Sequence, residues 1–159
     1  MACDATARLY DVDEDSVVFK KLQKTKRYDQ GTIAFRARKG KLIDLDKLHE
    51  SIWATRLSGG TRSGLVSLEV TAVGQVVTTK DGAILKIAGS DSHFVLIRSP
   101  DEKQAALLGK LQAKAGSDAM VRVTGRIDNY AGRWPDVLRS RPTGPRRVLV
   151  TRFEVVKKP

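Results

Sequence analysis

The chain has 159 residues, 41% of them hydrophobic and 30% charged, and 29 basic against 18 acidic side chains give it a net charge of +11. That composition excludes a disordered polymer and leaves room for one ordinary domain or two small ones, and no apolar run approaches the roughly 18 to 20 residues of a membrane-spanning helix. A single cysteine, Cys3, excludes an internal disulfide and a cysteine-based zinc cluster.

The opening MACDATARLYDV lacks the basic start and apolar core of a signal peptide, so the sequence as written predicts a cytoplasmic protein. Cys3 followed by ARLYDVDEDSVVF also resembles the start of mature bacterial lipoproteins. That resemblance implies lipidation at Cys3, and a periplasmic or membrane-anchored location, if Met1 and Ala2 replace a removed leader. An ordinary terminal thiol is the alternative.

A short strand is predicted around Ser16 to Phe19, preceded by the acidic cluster Asp11, Asp13, Glu14 and Asp15. Lys20, Lys21, Lys24, Lys26 and Arg27, with Arg36 further on, follow closely, which predicts charge compensation on a solvated hairpin; a separate basic binding patch is the alternative. GTIAFRARKGK alternates Ile33, Phe35 and Ala37 with Thr32, Ala34, Arg36 and Arg38, the period of a half-buried strand. IDLDKLHESIWATRL predicts a helix capped by Asp44, with Leu45, Leu48 and Ile52 on one face and Trp53 in the core beside them. SGGTRSG, with Gly59 and Gly60, then reads as a joint.

The strand, helix, strand run from Gly31 to about Val73 resembles the second half of a ferredoxin-like domain of the heavy-metal-associated kind. That family binds metal through a Cys-x-x-Cys loop, which this sequence lacks. The resemblance therefore implies the shell without copper or zinc carriage.

Beyond the joint, LVSLEVTAVGQVVTT predicts a long strand with Gly74 at a bulge or barrel bend. Lys80, Asp81 and Gly82 make a turn into AILKIAG, and SDSHFVLI is the third strand. SPDEKQAALLGKLQAKAG predicts a helix capped by Ser99, with Pro100 first, Glu102 closing a capping box and Gly116 ending it. AMVRVTGRI and RRVLVTRFEVV are the last two strands. Three strands, a helix and two strands over residues 64 to 156 resemble the OB-fold, a five-stranded barrel; a small open sandwich has the same strand count. The predicted class is α+β, with a small ferredoxin-like segment over residues 1–62 and an OB-like barrel over residues 63–159.

The connection between the last two strands, DNYAGRWPDVLRSRPTGPRR, holds five arginines, a tyrosine, a tryptophan, three prolines and two glycines, and predicts an irregular loop. The OB resemblance places this loop beside the ligand face. Arginine donates paired hydrogen bonds to phosphate and stacks on bases. Arg133, Arg139, Arg141, Arg146 and Arg147 are therefore the candidate phosphate contacts, and Tyr130 and Trp134 the candidate stacking faces. Arg122 and Arg126 share a face of the preceding strand. In the plainer alternatives Trp134 and Pro135 anchor a structural loop, or the loop meets a protein partner.

Catalytic groups do not converge. His49 and His93 are isolated, with no zinc spacing. Ser90, Asp91, Ser92 and His93 carry the letters of a hydrolytic triad, but neighbours on a strand point to opposite faces. SGGTRSG lacks the lysine of a phosphate-binding loop. The sequence predicts a non-enzymatic binding module without a cofactor, its first ligand single-stranded nucleic acid. A lipoprotein anchored at Cys3, binding a protein or envelope partner, is the alternative, and a basic protein with no polyanion ligand is the plainest one.

Overall fold

The alternation read from Thr32 to Arg38 becomes one strand of a two-stranded antiparallel sheet, β1 (Val12–Lys24) with β2 (Asp29–Ala37). The computed structural model describes residues 11–24, 29–56, 60, 62–114, 118–140 and 143–156. The first strand is longer than predicted and takes in the acidic cluster from Asp13 to Asp15. Its pairing is irregular between Asp13 and Val18. There the Ser16 hydroxyl accepts from the Arg36 amide (2.8 Å) and donates to the Asp13 carbonyl (2.6 Å), replacing a ladder bond with a side-chain bridge. Asp13 and Arg36 stand opposite each other at 3.8 Å, which is the expected charge compensation. Lys26 and Arg27 lie outside the described residues.

Helix α1 (Leu45–Ala54) starts as its sequence predicts, with the Asp44 carboxylate accepting from the amides of Asp46 (3.0 Å) and Lys47 (3.2 Å). Leu48 and Ile52 are buried on the expected stripe, joined by His49. The ferredoxin-like expectation is not met in the pairing: β2 pairs with β1, while the strand after α1 belongs to another sheet. A βαβ unit needs both strands in one sheet, because the helix packs on the sheet they share.

That second sheet has five strands: β3 (Glu69–Thr79), β4 (Gly82–Ile87), β5 (His93–Ile97), β6 (Met120–Ile127) and β7 (Arg147–Val156). Their order is β3-β4-β5-β7-β6, with β6 returning to β3, so every strand has two neighbours and the sheet closes as a barrel. Pairing is antiparallel except between β5 and β7, where Val95, Leu96 and Ile97 run parallel to Arg147, Val148 and Leu149. Val76, Ala83, Leu85, Leu96, Val121, Val123, Val148 and Val150 alternate into the barrel and are buried. Each valine and leucine among them contributes about 1.5–3 kcal/mol against its exposed state, and Ala83 less.

Helix α2 (Glu102–Gln112) packs on β7 and β3 and sends fully buried Leu111 inward. It begins later than predicted. Asp101, not Ser99, is the cap, accepting from the Lys103 amide at 2.9 Å. The Ser99 hydroxyl is spent two residues earlier, accepting from the Asp101 amide (3.2 Å) and donating to Gln104 Oε1 (3.0 Å). The helix ends at Gln112, ahead of the expected Gly116, which lies outside the described residues. The arginine-rich connection is also partly regular, since Trp134–Ser140 forms a short helix, α3. Pro135 falls in its first turn, where the missing N–H is not needed, so the proline does not break it.

The chain divides into two compact units, with the first extending through Leu65 and also claiming Gly132–Asp136. The boundary expected after residue 62 therefore falls three residues later, and the second part is interrupted. This interruption comes from pairing that a composition reading does not register: Leu65 and Gly132 form an antiparallel bridge.

Two glycines sit where barrel strands approach too closely for a side chain. A Cβ on Gly74 would overlap the Lys86 carbonyl of β4, and one on Gly125 would overlap the Leu149 carbonyl and Val148 Cγ1 of β7. Gly74→Ala is expected to lower unfolding stability by about 3 kcal/mol. By contrast, Gly109→Ala, on α2 with nothing within 4 Å of the new Cβ, should raise it by about 0.5–1 kcal/mol. Denaturant titration of the two variants checks both signs.

Candidate nucleic-acid interface

Asp128 and Arg147 close the base of the arginine-rich connection. The Asp128 amide donates to the Arg147 carbonyl at 2.9 Å, and the Arg147 guanidinium pairs with the Asp128 carboxylate. One residue earlier, the Arg146 carbonyl accepts from the Val95 amide of β5 at 3.0 Å. Tyr130 is only 1% exposed, with the Arg146 guanidinium carbon 5.7 Å from its ring centre. Its ring is therefore a core element and presents no face to a base, contrary to the stacking role the sequence predicts. Arg146 and Arg147 are half-buried and tied to the loop base.

Further along, the Gly132 carbonyl accepts from the Leu65 amide (3.3 Å) and lies 3.2 Å from His49 Nε2, while the Gly132 amide donates to the Leu65 carbonyl (2.7 Å). His49 is fully buried. Burial depresses its pKa below the ordinary 6.5, opposed by the Gly132 hydrogen bond and by the Asp46 charge. A neutral ring donating Nε2–H to Gly132 follows from that balance. His49 is thus a buried core histidine whose Nε2 is committed to the Gly132 carbonyl.

Arg133 and Arg139 are exposed, at either end of α3. Arg141 and Cys3 lie outside the described residues, as does the side chain of Trp134. On β6, Arg122 and Arg126 project from the outer surface as alternation requires. Arg122 pairs with Glu154 across on β7. Arg126 stands opposite Glu69 in the β3 register without an ion pair. Arg152 on β7, opposite Thr124, is a third exposed guanidinium on this surface that the sequence reading missed. Its signal was the alternation Arg152, Glu154 within the last strand, obscured by the register shift near Gly125.

Another face of the barrel has a different character. Val77 of β3, Ile84 of β4 and Val95 of β5 are aligned across the sheet and half-buried, on the side opposite Val76 and Leu85. Lys86 and His93 form the next row, with Gln75 beside Lys86. The first row is wholly aliphatic, and the second carries one ring, the His93 imidazole.

In the first unit, Trp53 is half-buried instead of sitting in the core, and the Arg62 guanidinium carbon lies 5.2 Å from its ring centre. An exposed stack of this type contributes about 0.5–1 kcal/mol. Among the described residues, no group of three or more His, Cys, Asp and Glu side chains could hold a metal ion. No helix of the described residues is long and apolar enough to cross a membrane. No protein-family model, curated protein or solved structure matches the chain.

Two stability measurements separate structural from exposed charge. Asp128→Ala should lower unfolding stability by about 1 kcal/mol, whereas Arg122→Ala, whose ion pair is solvated, should change it by less than about 0.5 kcal/mol. His49 adds a pH dependence. Its folded pKa is depressed, so its contribution is complete above about pH 6.5 and is lost as pH falls through the folded value. Denaturation midpoints should therefore fall from pH 7.5 to pH 5, with a smaller fall in His49→Gln.

Proposed function

We propose that the protein is a non-enzymatic binding module for single-stranded nucleic acid, and that its barrel is of the OB type. Support for the fold comes from the strand order β3-β4-β5-β7-β6, with α2 between the third and fourth barrel strands. Support for the ligand comes chiefly from one observation: guanidiniums remain exposed on β6, β7 and at both ends of α3 in a chain of net charge +11. Binding would proceed by phosphate neutralisation at Arg126, Arg139 and Arg152 of the second unit, with release of counterions from the strand. Arg146, Arg147 and Tyr130 would hold the connection in shape and make no contact with the ligand.

A second reading has its own support. The aliphatic row Val77, Ile84, Val95 suits a protein partner better than a base, since it offers no ring for stacking. This is the version in which the chain is an extracytoplasmic lipoprotein carried on Cys3.

Fluorescence anisotropy of a labelled single-stranded oligonucleotide, titrated at several salt concentrations, tests the first reading. Saturable binding that weakens steeply with salt is expected. Arg126→Ala combined with Arg139→Ala should weaken it about tenfold and reduce the salt slope by about two. Flat anisotropy at low salt would overturn the nucleic-acid reading and leave the protein-partner one.

A further inference from the structure

We infer that Trp53, Arg56 and Arg62 of the first unit form a contact for a base and its phosphate, an inference that rests on the single-stranded nucleic-acid reading above. Trp53 follows Ile52 on α1, so it lies at the edge of the buried stripe with part of its ring toward solvent. Beyond the helix, Arg56 and Arg62 meet in an antiparallel bridge, supported by the Ser63 amide donating to the Thr55 carbonyl at 3.4 Å. Two like charges directly opposite each other in such a bridge repel and destabilise the pairing. Both guanidiniums are exposed, and neither forms an ion pair with a carboxylate among the described residues. Glu50, one turn back on α1, is exposed and joins neither of them.

The bridge thus sets two arginines opposite each other, neither ion-paired among the described residues, with the Arg62 guanidinium stacked on a partly open indole. An anion bridging Arg56 and Arg62 would remove the repulsion. Guanidinium donates two parallel hydrogen bonds to a phosphate and keeps its planar face available for stacking. A tryptophan beside it offers a face to an unstacked base, whichever base it is. A carboxylate-rich peptide would satisfy the charges but not the ring, and for that reason the geometry points to single-stranded nucleic acid.

The chain has two tryptophans, so Trp134→Phe leaves Trp53 as the only indole emitter. In this background a short oligodeoxythymidine should quench the emission saturably, tracking the variant's own anisotropy titration. Adding Arg56→Gln and Arg62→Gln, with unchanged circular dichroism, should weaken binding about tenfold and lower the salt slope by about two. Binding by anisotropy with unchanged Trp53 emission and undiminished affinity in the double variant would overturn this inference and leave the proposed function standing. Equal quenching and affinity with poly-glutamate would also overturn it, assigning the contact to acidic protein. Absence of any anisotropy change at low salt would remove the proposed function and this contact together.

Discussion

Two points where one strand leans on the backbone of the next govern the larger unit. β3 leans on β4 at Gly74, and β6 leans on β7 at Gly125. Because β3 and β6 are themselves paired, the two contacts lie on opposite sides of one ladder and let the sheet curl both ways from it. Beside Gly125 the register shifts, and the Thr151 hydroxyl donates to the Thr124 carbonyl at 3.2 Å, satisfying an acceptor near the irregular step. The short parallel pairing of β5 with β7 completes the ring. Closure removes free edges from this sheet and fixes which side chains alternate outward.

The arginines divide by what they already touch. Arg147 closes a loop base with Asp128, Arg146 lies over a buried tyrosine, and Arg122 shares its charge with Glu154. A guanidinium engaged in this way must give up a partner before it can take a phosphate, which reduces its net contribution to binding. Arg126, Arg133 and Arg152 carry no such obligation among the described residues. Net charge attracts a polyanion over the whole surface, but the local pairing decides where contact is productive. The same distinction singles out Arg56 and Arg62, which stand opposite each other with no carboxylate paired to either among the described residues.

Much of the architecture was legible because it depends on local patterns. Asp44 as a cap, the Leu48 and Ile52 stripe, the Lys80–Asp81 turn and Gly74 at a bend all follow from short-range chemistry. What escaped depended on pairing between distant segments. Gly132 bridges Leu65, so a few residues of the connection belong to the first unit, and no composition shift announces it. Tyr130 looked like a stacking face because it lies among arginines, yet its ring is in the core. Trp53 erred the other way, read as core from its place beside the stripe and found half-open under Arg62. Ser99 failed as a cap because Asp101, two residues on, offers a charged acceptor to the same helix end.

The most direct test of a nucleic-acid surface built from exposed arginines is a map of NMR shift changes in isotope-labelled protein titrated with a single-stranded oligonucleotide. The account predicts changes at the Arg126, Arg139 and Arg152 amides, with the Tyr130 ring unmoved. Changes confined to the Val77, Ile84 and Val95 row, or no changes at all, would contradict it.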